Sequence, residues 1–80
     1  MDAVKHVAAE VRANLARQQY SARSAAKALG WSEFYMLRRL KAQVAFDVND
    51  LEALSGLLGL PITAFFDRPV VSGGSRNLPS

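Results

Sequence analysis

Residues 25–40, Ala25 to Leu40, read AAKALGWSEFYMLRRL. Two short helical patterns, AAKAL and EFYMLRRL, stand either side of Gly30-Trp31-Ser32. Segments this short are marginal helices in water, so each needs packing against the other and against a larger frame. The second also sets Phe34 and Tyr35 beside Arg38 and Arg39, with no carboxylate after Glu33. A face meant only for water would carry Glu, Lys, Gln or Ala.

The flanking sequence supplies the frame. Val4, Val7, Ala8, Val11 and Leu15 follow the i, i+3, i+4, i+7 spacing of an amphipathic helix, which predicts helix 1 from about residue 3 to 18. Ser21 is the expected N-cap of helix 2, which should end at Leu29 with Gly30 as its left-handed stop. Ala25, Ala26 and Leu29 offer small residues where a neighbouring helix can approach closely. Ser32 should cap helix 3, about residues 33–42, with Met36, Leu37 and Leu40 on its core side and either Met36 or Leu37 in the first core position. Asp47 and Asp50 form an acidic capping arrangement for helix 4, whose apolar face is Val48, Leu51, Leu54, Leu57 and Leu58. Gly59 ends it, and Pro61 suits the first turn of a short helix 5 through Phe65-Phe66. The expected architecture is all-α: a compact domain of five helices over residues 1–66. Residues 67–80, rich in Pro, Gly and Ser, read as a flexible tail.

Composition bounds the function. Eighty residues make one domain, which buries only about 60–65% of its unfolded surface. At this length no second sensing, cleavage or oligomerisation domain is expected. There is no cysteine, so neither a disulfide framework nor a thiolate metal site is expected. No apolar run approaches the ~20 residues of a membrane span, and no signal-peptide core is visible, so a reducing, cytoplasmic setting is expected. Residues 1–46 hold eight Lys/Arg against three Asp/Glu, and residues 47–80 two against four, giving +5 and −2 of the net +3. Positive charge sits with the opening stretch, as on a surface for a polyanion.

No catalytic constellation emerges. Ser21, Ser24 and Lys27 lack a general base, and capping explains Ser21. His6 has no second ligand nearby and reads as an ordinary surface residue. Trp31 reads as a lid over helices 2 and 3. No cofactor, metal or small-molecule ligand is expected, and the chain is not expected to be an enzyme.

A helix, a short glycine-containing turn and a second helix form the helix-turn-helix arrangement, whose second helix enters the DNA major groove. At ~100° steps, Arg38 and Tyr35 fall almost opposite the core stripe, flanked by Phe34 and Arg39. Arg38 suits guanine O6/N7, Phe34 and Tyr35 suit thymine methyls, and Glu33 suits cytosine N4. Ser21, Arg23, Ser32, Arg39, Lys41 and Gln43 are placed for phosphates. A dimer is expected on DNA, through Phe65, Phe66, Val70 and Val71, with the two valines pairing as a strand across a two-fold axis.

The stretch SARSAAKALGWSEFYMLRRL, followed by FDVNDLEALSGLLGLPITAFF, resembles the Cro/Xre (lambda-repressor-like) helix-turn-helix family over about residues 4–66. The resemblance rests on Ser21, Ala25-Ala26, Leu29-Gly30, Ser32 and the Leu51, Leu54, Leu58-Gly59-Leu60 ending. It implies a five-helix transcriptional regulator of phage Cro or repressor type, acting as a dimer on a pseudo-palindromic operator in the nucleoid. Two positions depart from the family pattern. Ala22 stands where glutamine is common, and Leu40-Lys41-Ala42 stands where Glu-x-Gly often closes helix 3, so a different closing turn is expected. The alternative function is a protein-interaction module, an antitoxin or adaptor that grips its partner through the Phe-rich end.

Overall fold

A computed structural model describes residues 2–66. Four α-helices follow in order, α1 Asp2–Arg17, α2 Ala22–Leu29, α3 Glu33–Leu40 and α4 Val48–Leu58, and a single 3₁₀ turn, Ile62–Phe65, closes the described chain. No strand occurs among the described residues. The domain is all-α, as the periodicity predicts, but its fifth element is not an α-helix. Ala64 N–H donates to the Pro61 carbonyl and Phe66 N–H to that of Thr63, both i to i−3 bonds. With proline at its start and β-branched Ile62 and Thr63 inside, this segment stops after one tight turn. The tail, with Val70 and Val71, lies outside the described residues.

The core is one cluster: Val7, Val11 and Leu15 of α1, Ala25 and Ala26 of α2, Met36 and Leu40 of α3, Leu51, Leu54 and Leu58 of α4, and Phe65. Helix α1 packs on α3 and the 3₁₀ turn, and α2 packs on both α3 and α4. The paired alanines are buried, so α2 meets its neighbours with little side-chain bulk between. Met36 is fully buried and Leu37 only partly, which fixes the register of α3. Val48 differs from expectation: it begins α4 on the outside and is 66% exposed. Phe65, expected at a dimer contact, is instead 0% exposed in the core. Burying a ring of that size stabilises by roughly 1.5–3 kcal/mol, a gain that a surface position would forgo.

The helix ends are closed locally. Ser21 Oγ accepts from Ser24 N–H and Ser24 Oγ accepts from Ser21 N–H, each at 2.9 Å, a capping box before α2. Asp47 and Asp50 form the same reciprocal box before α4. Each C-terminus ends with an N–H donating back five residues: Tyr20 to Leu15, Trp31 to Ala26, Gln43 to Arg38 and Leu60 to Ser55. That closure places the preceding residue in the left-handed region, at φ 66° for Gln19, 75° for Gly30, 60° for Ala42 and 67° for Gly59. The turn after α3 therefore adopts the conformation glycine favours, although its residue is alanine. It also ends α3 two residues earlier than expected.

Side chains fasten the helices to one another. Arg12 Nη1 of α1 donates to the Leu40 carbonyl at 2.5 Å, placing a cation at the negative end of α3. Gln18 Nε2 donates to the Leu58 carbonyl at 2.8 Å, holding the end of α1 to the end of α4. Buried Asn14 donates to the Glu10 carbonyl and accepts from Arg17 Nη1, so its amide is satisfied. Helix α3 is thus gripped at its C-terminal end by α1, while its N-terminal end is set by the Ser32 cap, whose Oγ accepts from Tyr35 N–H at 3.0 Å.

Candidate functional site

The polar half of α3 divides into two edges with different fates. Along one edge, Tyr35 and Arg39 turn toward the start of α4. The Tyr35 hydroxyl donates to Asp50 Oδ1 at 2.5 Å, and Arg39 Nε donates to Asp50 Oδ2 at 3.1 Å. The Asp47 backbone N–H reaches the same Oδ2 at 3.0 Å. Asp50 is 4% exposed, and three donors around a buried carboxylate are what its charge requires. The Arg39 guanidinium also lies 3.6 Å from the Tyr35 ring centroid and donates to the Tyr35 carbonyl. On its other side, the Tyr35 ring meets Trp31 at 5.0 Å between centroids, tilted by 56°. Trp31 itself packs against the core from the turn, as a lid would.

These contacts correct two placements. Tyr35 and Arg39 do not share the free face of α3: the phenol is engaged with Asp50 and the guanidinium is neutralised there. Asp50 fixes the Tyr35 proton in turn. Its hydrogen bond raises the phenol's pKa, burial and the carboxylate's charge add to this, and only the Arg39 charge opposes it. The phenolic proton and the Arg39 Nε–H are thus committed to Asp50.

Along the other edge, Phe34 and Arg38 stay outside. Phe34 is 68% exposed, the largest exposure among the large apolar residues described. The Arg38 guanidinium carbon lies 5.3 Å from the Phe34 ring centroid, a cation–π contact between i and i+4 positions. Glu33 is exposed one residue before Phe34, and Lys41 and Gln43 are exposed just beyond the helix. On α2, Arg23 is exposed, and so is Lys27, which is not among the residues expected to meet phosphates. Ser21 and Ser32 are exposed too, but their hydroxyl oxygens already accept from Ser24 and Tyr35 backbone N–H groups. They serve as caps, beside the N–H groups that open each helix.

The residue that sequence reasoning missed is Asp50. Its position three residues after Asp47 explains it as a cap, and nothing in the chain links it to a tyrosine fifteen residues earlier. The signal was the Tyr35–Arg39 pair itself: a phenol and a guanidinium four apart on one helix edge suit a shared carboxylate.

A second surface feature lies between the N-terminal part of α1 and the start of α4. Val4, Val7, Phe46, Val48, Leu51 and Phe66 line an apolar groove of about 270 Å³. Phe66, 53% exposed, is the member of the expected dimer pair that remains at the surface. No helix among the described residues is long and apolar enough to cross a membrane, and none of their acidic and histidine side chains group in threes as a metal ion would require.

No family model, no curated protein and no solved structure matches the chain.

Proposed function

We propose that the chain is a sequence-specific DNA-binding regulator of Cro/repressor type, placing α3 in the major groove. The observation that carries this reading is the division of α3. One edge is fastened to Asp50, while the other holds an aromatic ring and a guanidinium outward with no side-chain partner beyond each other among the described residues. An α-helix fits the major groove, and Arg is the side chain best matched to guanine there. Arg38 and Phe34 face base edges, with Glu33 at the helix start. Arg23, Lys27, Lys41 and Gln43 meet phosphates around them. The basic bias of residues 1–46 and the resemblance to the Cro/Xre family support the same reading. The protein acts by occupying an operator, as a homodimer on DNA, and performs no catalysis.

Selection of bound duplexes from a random pool tests this. A recovered motif, arranged as inverted half-sites about one helical turn apart, is the expected result. Affinity for it should fall steeply with salt as phosphate-bound counterions are released. Recovery of no motif overturns the reading.

The apolar groove favours a second reading, an antitoxin or adaptor that grips a partner protein through Phe66 and Val48. Its mark would be a protein that co-purifies with the wild-type chain and is lost on Phe66→Ala, while substitutions at Arg38 and Lys41 leave DNA affinity unchanged.

A further inference from the structure

We propose that Phe34 and Arg38 act as one reading unit for a two-base step, a 5-methylpyrimidine stacked next to guanine. The inference rests on the DNA-binding reading and names the step that its site recognises. Three observations carry it. First, Phe34 leaves a full aromatic ring in water at 68% exposure, although the small core has use for apolar bulk. Second, the guanidinium of Arg38 is already held against that ring, 5.3 Å from its centroid, so part of the rotamer freedom of a long side chain is removed in the free protein. Third, Tyr35 and Arg39, the other aromatic and guanidinium groups of α3, are drawn off to Asp50, leaving one such pair on the exposed edge.

Base chemistry then sets the partner. A guanidinium bound bidentately to guanine O6 and N7 lies in the plane of that base. The neighbouring base is one step away, ~3.4 Å, which is van der Waals distance. If that neighbour is a pyrimidine with a C5 methyl, the methyl projects into the major groove toward the guanidinium and the ring stacked on it. Phe34 then regains burial that it lacks in the free protein, and the methyl leaves water. A cytosine or uracil in that place offers no such group. Thymine and 5-methylcytosine share the chemistry and differ in source, the one encoded and the other a modification.

The experiment takes the full chain and the operator recovered from the random pool, with its pyrimidine–guanine step changed one atom group at a time. Replacing thymine by uracil removes only the methyl. For the wild-type chain it should weaken binding about 3- to 4-fold, the worth of one buried CH₂-sized group, ~0.8 kcal/mol. Where the step carries cytosine, installing 5-methylcytosine should strengthen binding by a similar factor, which separates the modified source from the encoded one. For Phe34→Ala, an exposed substitution that leaves the core untouched, both changes should shift affinity by less than about 1.5-fold, with the salt dependence unaltered. A motif lacking the step, a methyl effect absent from the wild type, or one equal in Phe34→Ala overturns the inference while DNA binding stands. A pool that yields no motif removes the DNA reading and the inference together.

Discussion

The hydroxyl of Tyr35 in α3 donates to Oδ1 of Asp50 in α4, 2.5 Å away, a side-chain tie between two helices whose backbones share little direct packing. Asp50 thereby has two tasks: it caps its own helix through the Asp47 N–H and anchors its neighbour through Tyr35 and Arg39. Removing the carboxylate strands a phenol and a largely buried guanidinium and opens the capping box. Asp50→Ala should therefore lower stability by about 3 kcal/mol in urea unfolding. Asp50→Asn, which keeps the shape and an acceptor, should cost less. A loss below about 0.5 kcal/mol for the alanine variant would show the network to be incidental.

The same contact predicts alkaline behaviour. The Tyr35 pKa is raised in the folded state, first by its hydrogen bond to Asp50. A group whose folded pKa lies above its unfolded value stabilises fully at pH below the unfolded range, ~10 for tyrosine. That contribution is lost as pH rises through the higher folded value. In the folded protein, one of the two tyrosines should form phenolate only above the ordinary range, followed by its near-ultraviolet absorbance, and Tyr35→Phe should remove that component. A Tyr35 titration at or below the ordinary value would contradict the geometry.

Ala42 holds φ at 60° to close α3, a conformation that costs an L-residue roughly 1–2 kcal/mol. Ala42→Gly should relieve part of this, raising stability by about 1 kcal/mol in thermal or urea unfolding. Gly30→Ala, at φ 75°, should lower it by a similar amount, since an added Cβ meets nothing within 4 Å and only the backbone conformation resists.

Gly56 presents the reverse case. It lies inside α4, exposed, and an added Cβ would again meet no atom within 4 Å. Gly56→Ala should stabilise the protein by about 0.8–1 kcal/mol, the difference in helix propensity. A loss instead would mean that α4 needs the glycine for a contact outside the described chain.

Much of the fold was legible because its signals are local. Ser21, Ser32 and Asp47 as caps, Gly30 and Gly59 as stops, and the Val7, Val11, Leu15 stripe are each set by a few neighbouring residues, and each stands where the pattern places it. What the sequence hid is tertiary. Helical angles put Tyr35 on the far side of α3 from Met36 and Leu40, which assumes that the core lies in one direction only. The start of α4 comes up beside that face, and its buried carboxylate draws Tyr35 and Arg39 inward. Phe65 and Phe66 are adjacent in sequence and alike in type, so only the turn of the chain after Pro61 sends one to the core and the other to the groove. At α3's end, Lys41-Ala42 carries no glycine, and the left-handed turn forms because the Gln43 N–H closes onto the Arg38 carbonyl.

Base reading by the outer edge of α3, as proposed, is tested by comparing Arg38→Ala with Lys41→Ala on specific and random duplexes. Loss of the Arg38 guanidinium should cost about 1–3 kcal/mol on the operator and much less on random DNA, narrowing the ratio between them, whereas Lys41→Ala should weaken both about equally. If Arg38→Ala leaves that ratio where the wild type has it, the outer edge of α3 reads no base and the account is wrong.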